Sequence, residues 1–326
     1  MKKKKLILGC QTFGSSLVEK DCIRALNICI RNNIMDFDLA ESYPFPESDK
    51  TFGKSEKIFG NWLKKKKVSR HKIFISTKVT GRNDKRFISV KPGRVRSKRI
   101  IDSAEKSLER LNTDYLDTYY LHWPDRYTNI FGRKYYNPDN DPIFIPLEEQ
   151  FEAFYKLKKS GKIINYGLCN ETPWGIMKFL ELSKKKNFYP AIQEEYSILN
   201  RNIELSIKEI ISRENLILNT YSPLSGGLLT GKYFLKNDLN WRLNKYKKFT
   251  QRNQTKIKKG IAKKINNYCK KRKVNLIDVS IGFIKKQQFV SNVIFGISSI
   301  QNLHRFIKGW NFKLNDKIYK EVVNLI

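Results

Sequence analysis

Residues 36–45 read DFDLAESYPF. Ile34 and Met35 precede them, so Ile34–Leu39 reads as a buried apolar strand interrupted by Asp36 and Asp38. By the two-residue period of a strand the two carboxylates point to the same side. Tyr43 and Pro44 lie just beyond. A doubly wound Rossmann sheet would carry G-x-G-x-x-G after an early strand. Neither the turn after this strand nor the one after the first strand, Leu6–Thr12, has it. That absence turns the reading toward a different β/α architecture.

Working outward, short apolar runs recur along the chain. Further strands are expected at Ile73–Val79, Leu116–His122, Ile163–Cys169, Ala191–Glu195, Leu216–Ser222 and Val290–Gly296. Amphipathic stretches lie between them. Asp21–Asn32 places Ile23, Leu26 and Ile30 at helical spacing, and Ser97–Leu111 does the same with Ile100, Ala104, Leu108 and Leu111. Thr172-Pro173 reads as an N-cap followed by proline at the first helical position. Helices are also expected over Phe151–Lys159, Glu204–Arg213, Lys256–Lys271 and Asp278–Gln287. Eight strands separated by helices imply right-handed crossovers. In 326 residues they fit a closed (β/α)8 TIM barrel, whose usual size is about 250 residues with insertions allowed. No Pro/Gly/Ser linker divides the chain, so one domain over 1–326 is expected. Two long irregular rim loops, Pro124–Pro146 and Leu224–Thr250, are candidate lids.

Composition narrows the class. The chain is 40% hydrophobic and 13% aromatic, too apolar for disorder. Its formal net charge of +33 would suit a polyanion. The lysines are dispersed, however, and runs such as Lys64–Lys67 and Lys184–Lys186 fall where helix C-termini are expected, a favourable site for cations. A solvated basic surface with no specific nucleic-acid partner is the reading. The five cysteines are odd in number and include no C-x-x-C, so neither a disulfide framework nor a zinc site is indicated, and a reduced cytoplasm fits. The start, MKKKKLILGC, resembles a lipoprotein signal, but its apolar part is far shorter than the roughly 7–15 residues of a signal core. It reads as a strand instead. No run approaches the about 18 apolar residues of a membrane span.

In a barrel of this kind reactive groups stand at the C-terminal ends of the strands. Asp38 and Tyr43 follow the second strand, Lys78 ends the third (FISTKV), and His122, one of only three histidines, ends the fourth (YYLHWP). Each has a plain structural alternative: a turn carboxylate, a half-buried aromatic, an ion pair, a core histidine. Together they suit proton transfer to a carbonyl oxygen. A free tyrosine titrates near 10. A neighbouring ammonium is expected to lower that value, Asp38 to hold the ammonium, and His122 to orient the substrate oxygen. Tyr43 is then general acid for reduction and general base for oxidation. No covalent nucleophile stands beside a base, so the chemistry needs a hydride partner. Trp123, Phe45, Tyr127 and Trp174 are candidate pocket walls, and Asp36 is left as structural.

The segments FDLAESYP, IFISTKV, SLERLNTDYLDTYYLHWP, GKIINYGLCNET, IQEEYSILNR, YSPLSGGLLTGKY and FGISS run in order over nearly the whole chain. In them the chain resembles the aldo-keto reductases, most closely a bacterial Tas-like branch. The resemblance implies a (β/α)8 barrel, an NADP(H) cofactor with NAD(H) possible, bound along the rim without a Rossmann motif, and the tetrad Asp38, Tyr43, Lys78 and His122. It implies that Asn170 and Gln193 hold the nicotinamide carboxamide, with Cys169 where the family has serine. Tyr221 stands at the position that stacks on the nicotinamide. Ser222, Leu224, Gly226 and the LLTGKY segment, residues 228–233, match the pyrophosphate loop, where backbone amides and glycines suit phosphate and Lys232 adds charge. Gly296, Ser298, Ser299 and Asn302 match the adenosine side.

There the chain departs from the pattern. Phe295 replaces a proline, Asn302 stands at a Gln/Arg position and Phe306 at an Asn position. Altered adenosine recognition is expected, with Arg305 and Lys308 mildly favouring NADP. Little chain follows Trp310 to close a substrate pocket. The substrate implied is a small carbonyl compound. The alternatives are a sugar or nucleotide-sugar dehydrogenase, and a cofactor-binding sensor with little turnover.

Overall fold

The computed structural model describes residues 3–66, 68–83, 93–128, 136–137, 139, 145–236 and 238–326, the side chain of residue 248 excepted. Among them eight parallel strands close into a barrel in sequence order. The strands are β1 (Lys5–Gly9), β2 (Asp36–Asp38), β3 (Phe74–Val79), β4 (Leu116–Leu121), β5 (Ile163–Cys169), β6 (Ala191–Glu195), β7 (Leu218–Tyr221) and β8 (Asn292–Gly296). The outer layer comprises α1 (Glu19–Arg31), α2 (Lys54–Lys66), α3 (Ser97–Leu111), α4 (Leu147–Lys159), α5 (Pro173–Lys186) and α6 (Ile207–Arg213). Two short helices, α7 (Arg242–Lys245) and α8 (Lys247–Thr250), lie over the rim, and the chain continues with α9 (Lys256–Lys271), α10 (Leu276–Lys286), α11 (Ile300–Asn311) and α12 (Asp316–Val323).

The (β/α)8 expectation therefore holds; β5 and β6 have the expected bounds, the first strand ends three residues earlier than expected, at Gly9, and the other ends shift by at most two residues. Thr172 caps α5, its hydroxyl accepting from the Gly175 amide at 3.2 Å, with Pro173 at the first helical position. The basic runs sit in last turns as expected, Lys64–Lys66 in α2 and Lys184–Lys186 in α5, while Lys67 lies outside the described residues. Glu204–Arg213 is not one helix. A 3-10 turn, Asn202–Leu205, is separated from α6 by Ser206 at φ −152°. Leu224–Thr250 is not irregular: it folds as 3-10 turns over Ser225–Thr230 and Lys232–Phe234, then α7 and α8. Of the Pro124–Pro146 loop, residues 129–135, 138 and 140–144 lie outside the described residues.

The large continuous core lies between strands and helices, and a small second cluster of Tyr120, Cys169 and Ala191, with Tyr221 against it, fills the barrel itself. Gly167 makes room for that filling. A Cβ there would stand 2.2 Å from Cε1 of the Tyr120 ring, which only glycine avoids. A polar thread runs up the interior. The Asn292 amide donates to Asn219 at 2.8 Å, and Asn219 donates to the Tyr120 hydroxyl at 2.8 Å. These buried polar groups are thereby paired, as burial requires. Asp36, at the opposite end of β2 from the site, faces the exposed Lys5 ammonium at 3.4 Å, in keeping with a structural role.

Candidate active site

The four tetrad residues come together because adjacent strands are in register. Asp38 pairs with Ser76 and Lys78 with Tyr120, which puts the ends of β2, β3 and β4 side by side. Lys78 is fully buried. Its ammonium donates to Asp38 Oδ2 at 2.6 Å and to the Leu39 carbonyl at 2.6 Å. The other Asp38 oxygen accepts from Ser76 Oγ at 3.0 Å and from the Gln193 amide at 2.9 Å. A buried ion pair is tolerable only when its remaining sites are bonded in this way. The Lys78 ammonium lies 5.2 Å from the centroid of the Tyr43 ring. The His122 ring meets Tyr43 edge-on at 5.6 Å, and its buried Nδ1 has no partner among the described residues.

Electrostatics assign protons here. Burial first, and the Lys78 charge second, push His122 well below its ordinary range, so its imidazole is neutral near pH 7. Tyr43 moves opposite to the sequence expectation. Burial, then the Asp38 carboxylate, push its phenol well above 10. The reason is that the Lys78 ammonium is spent on Asp38 and on Leu39, leaving a desolvated hydroxyl beside a carboxylate. Tyr43 therefore keeps its proton near neutrality.

The expected nicotinamide group also converges. Asn170 donates to the His122 carbonyl at 3.0 Å and to Cys169 Sγ at 3.1 Å, and accepts from the Tyr221 hydroxyl at 2.5 Å. Cys169 donates to Gln193 Oε1 at 3.3 Å. After β7 the backbone turns left-handed at Ser222, Ser225, Gly226 and Gly227. Consecutive amides in such a turn form a concavity suited to phosphate. Leu224 lies between them, and a buried Asn253 Oδ1 with no partner among the described residues stands in this neighbourhood, its Nδ2 3.1 Å from where a Gly226 Cβ would be. These features fit a dinucleotide. Lys232 lies 4.5 Å over the Trp241 ring. On the far side Gly296 opens to free space, and Ser299 caps α11 by accepting from the Asn302 amide at 3.2 Å. Ser298 Oγ accepts from the Asn302 side chain at 3.0 Å.

The departures near the end of the chain have a physical explanation. Phe295 and Phe306 are both buried and stack on each other at 4.5 Å and 11°. The two aromatic replacements are one packing unit, and the side chain at 306 is spent on the core. Arg305 pairs with Asp278 at 2.7 Å, and Lys308 is exposed.

Sequence reasoning missed a strap of residues over the rim. The Arg242 guanidinium donates to Gln11 Oε1 at 2.9 Å and lies 4.8 Å over Phe45. Tyr246 and Phe249 meet Phe45 at 5.0 and 5.5 Å. Arg252 bonds Glu195 at 3.1 Å. Glu47, half-buried near Arg242 and Tyr43, is pushed up to about 7 by burial. No motif marks these residues; for Arg242, Tyr246 and Phe249 the signal is an Arg/aromatic mixture inside a stretch read as irregular, and Glu47 and Arg252 lie outside it. Of the expected walls, Trp123 is buried against His122 at 4.9 Å, Tyr127 is half-buried, and the exposed Trp174 covers Arg126, which forks onto Glu171.

The profile described as the Aldo/keto reductase family matches residues 5–326. The chain belongs to that family. It is 31% identical to the protein Tas of Escherichia coli over 319 residues, 97% of this chain and 92% of that one. It is 31% identical to an aldo-keto reductase of Babesia bovis over 252 residues, 72% of this chain and 88% of the relative. It is 27% identical to an uncharacterized oxidoreductase, YrpG, of Bacillus subtilis over 326 residues, 97% and 90% of the two chains. Members of the family are oxidoreductases that generally use NAD(P)H and act on small carbonyl compounds. Among the described residues no cluster of metal-ligating side chains occurs, and no helix is long and apolar enough to cross a membrane.

Proposed function

We propose that this aldo/keto reductase is a single barrel domain that reduces an aldehyde or ketone to an alcohol, with Tyr43 delivering the proton. The supporting observation is a protonated phenol held against a buried Lys78–Asp38 pair and a neutral His122. A bound nicotinamide supplies the hydride. The neutral imidazole and the Tyr43 hydroxyl hold the substrate oxygen, and the phenol gives up its proton as charge develops there. The Lys78 ammonium, 5.2 Å from the ring centroid, stabilises the phenolate that forms.

Asn170 and Gln193 are proposed to hold the carboxamide, Cys169 and Tyr221 to flank the ring, and Ser222, Leu224, Gly226 and Lys232 to hold the pyrophosphate. Gly296, Ser298, Ser299 and Asn302 would meet the adenosine end. NADP(H) is the proposed cofactor on the family's habit, with NAD(H) accepted. Phe306 offers no amide, and Arg305 is engaged by Asp278. Mixing the protein with NADPH, then NADH, and a panel of aldehydes, ketones and sugars tests this reading. Saturable cofactor quenching with carbonyl-dependent oxidation is expected. Neither signal with either cofactor would overturn it.

A further inference from the structure

Behind the turn that follows β7 lies a cleft of about 310 Å³, at the lower end of the range of small-molecule sites, about 300 to 1,000 Å³. Its walls are Leu228, Tyr233, Phe234 and Leu243, with the polar Asn244 beside them. The rim is made by Gln254 and one face of α9, with Lys259, Gly260 and Lys263. Lys259 and Lys263 are four residues apart, so their ammonium groups lie on one side of the helix. The helix, KIKKGIAKKINNYCKK, contains no acidic residue. Among the described residues neither lysine is ion-paired, whereas Gln254 spends its amide on the Leu243 carbonyl at 2.6 Å and on Thr250 at 2.9 Å.

Gly260 stands between the two lysines. Glycine inside a helix costs about 0.5–1 kcal/mol relative to alanine, and here no close packing requires it. A Cβ at this position would meet nothing within 4 Å. What the missing side chain leaves is open space on the cleft side of α9.

We infer that this cleft binds a medium-chain aliphatic carboxylate, its chain against Leu228, Tyr233, Phe234 and Leu243 and its head group between Lys259 and Lys263. The site is separate from the tetrad and does not depend on the reductase reading. Leu228 and Tyr233 belong to the LLTGKY segment of the proposed pyrophosphate turn, so the cleft adjoins the cofactor region, whereas Lys259, Gly260 and Lys263 lie outside the proposed catalytic and cofactor groups.

Calorimetric titration of the full chain with octanoate, and with octanol as the neutral analogue, tests it. Octanoate is expected to bind saturably and more tightly than octanol. Gly260→Leu projects a side chain into the space where a Cβ meets nothing within 4 Å and should abolish binding, with turnover and melting temperature retained. The double variant K259A/K263A should weaken octanoate at least tenfold and leave octanol unchanged. Absence of saturable octanoate binding, or unchanged octanoate binding in Gly260→Leu, overturns the site. Equal affinity for octanol, or full octanoate affinity in the lysine variant, overturns the assigned ligand class.

Discussion

Tyr43 and Glu47 differ in burial and bonding, and each contradicts what its residue type suggests. The phenol is held above its usual range by burial and by Asp38. Reduction, which consumes the phenol proton, should therefore be insensitive to pH around neutrality, whereas oxidation, which needs the phenolate, should climb as pH rises. Glu47 lies close by with its carboxyl raised from 4.5 to about 7. The folded chain holds that proton between the two values while the unfolded chain releases it. Stability from this group is fully present below 4.5, falls as pH rises toward 7, and the penalty is complete above 7. Glu47→Gln should thus raise stability at pH 8 by about 1–3 kcal/mol, discounted for partial exposure, and change little at pH 4. Denaturant melts at the two values check it; an equal effect at both would contradict the assigned burial. That Asp38, Lys78 and His122 meet was legible in the sequence from their strand-end positions. The direction of the Tyr43 shift was not, because it depends on where the Lys78 ammonium donates, and only the register of β2 against β3 fixes that.

At the scale of elements, β5 and β6 were legible to the residue, because each begins on an apolar pair, Ile163-Ile164 and Ala191-Ile192, that follows directly on turn residues, Gly161-Lys162 and Tyr189-Pro190. The helix α2 was not. Its Gly60 and terminal lysines mask the periodicity, yet Gly60 is what allows close packing: a Cβ there would stand 2.2 Å from the Arg110 carbonyl of α3. In the Leu224–Thr250 stretch, Leu228, Leu229 and Leu243 are buried in the core while Tyr246 and Phe249 pack on the distant Phe45. That is a long-range contact with no local signature. The β8–α11 joint shows two sequence departures acting together. Phe306→Ala should destabilise by about 3–5 kcal/mol, measured by denaturant unfolding, since it removes one member of a buried stacked pair. A loss well under 1 kcal/mol would show that Phe306 is not part of the core.

For the whole molecule, the +33 charge remains after all ion pairs are counted within it. Lysines concentrated on helix ends and on α9 repel one another through water, over a screening distance of about 8 Å at physiological salt. The melting temperature should rise as sodium chloride is added from low ionic strength, and level off once the surface is screened. A flat or falling curve would mean that the charges are locally compensated. The barrel architecture itself was legible from eight alternating units and a missing glycine motif. The strap that closes over its rim was not.

The central claim is that Tyr43 supplies the proton while other residues hold the cofactor. Tyr43→Phe, assayed for NADPH binding by fluorescence and for turnover of the best carbonyl substrate, tests it most directly. Cofactor affinity should be retained while kcat falls by about 10² to 10⁴. Full turnover in the variant would contradict the account.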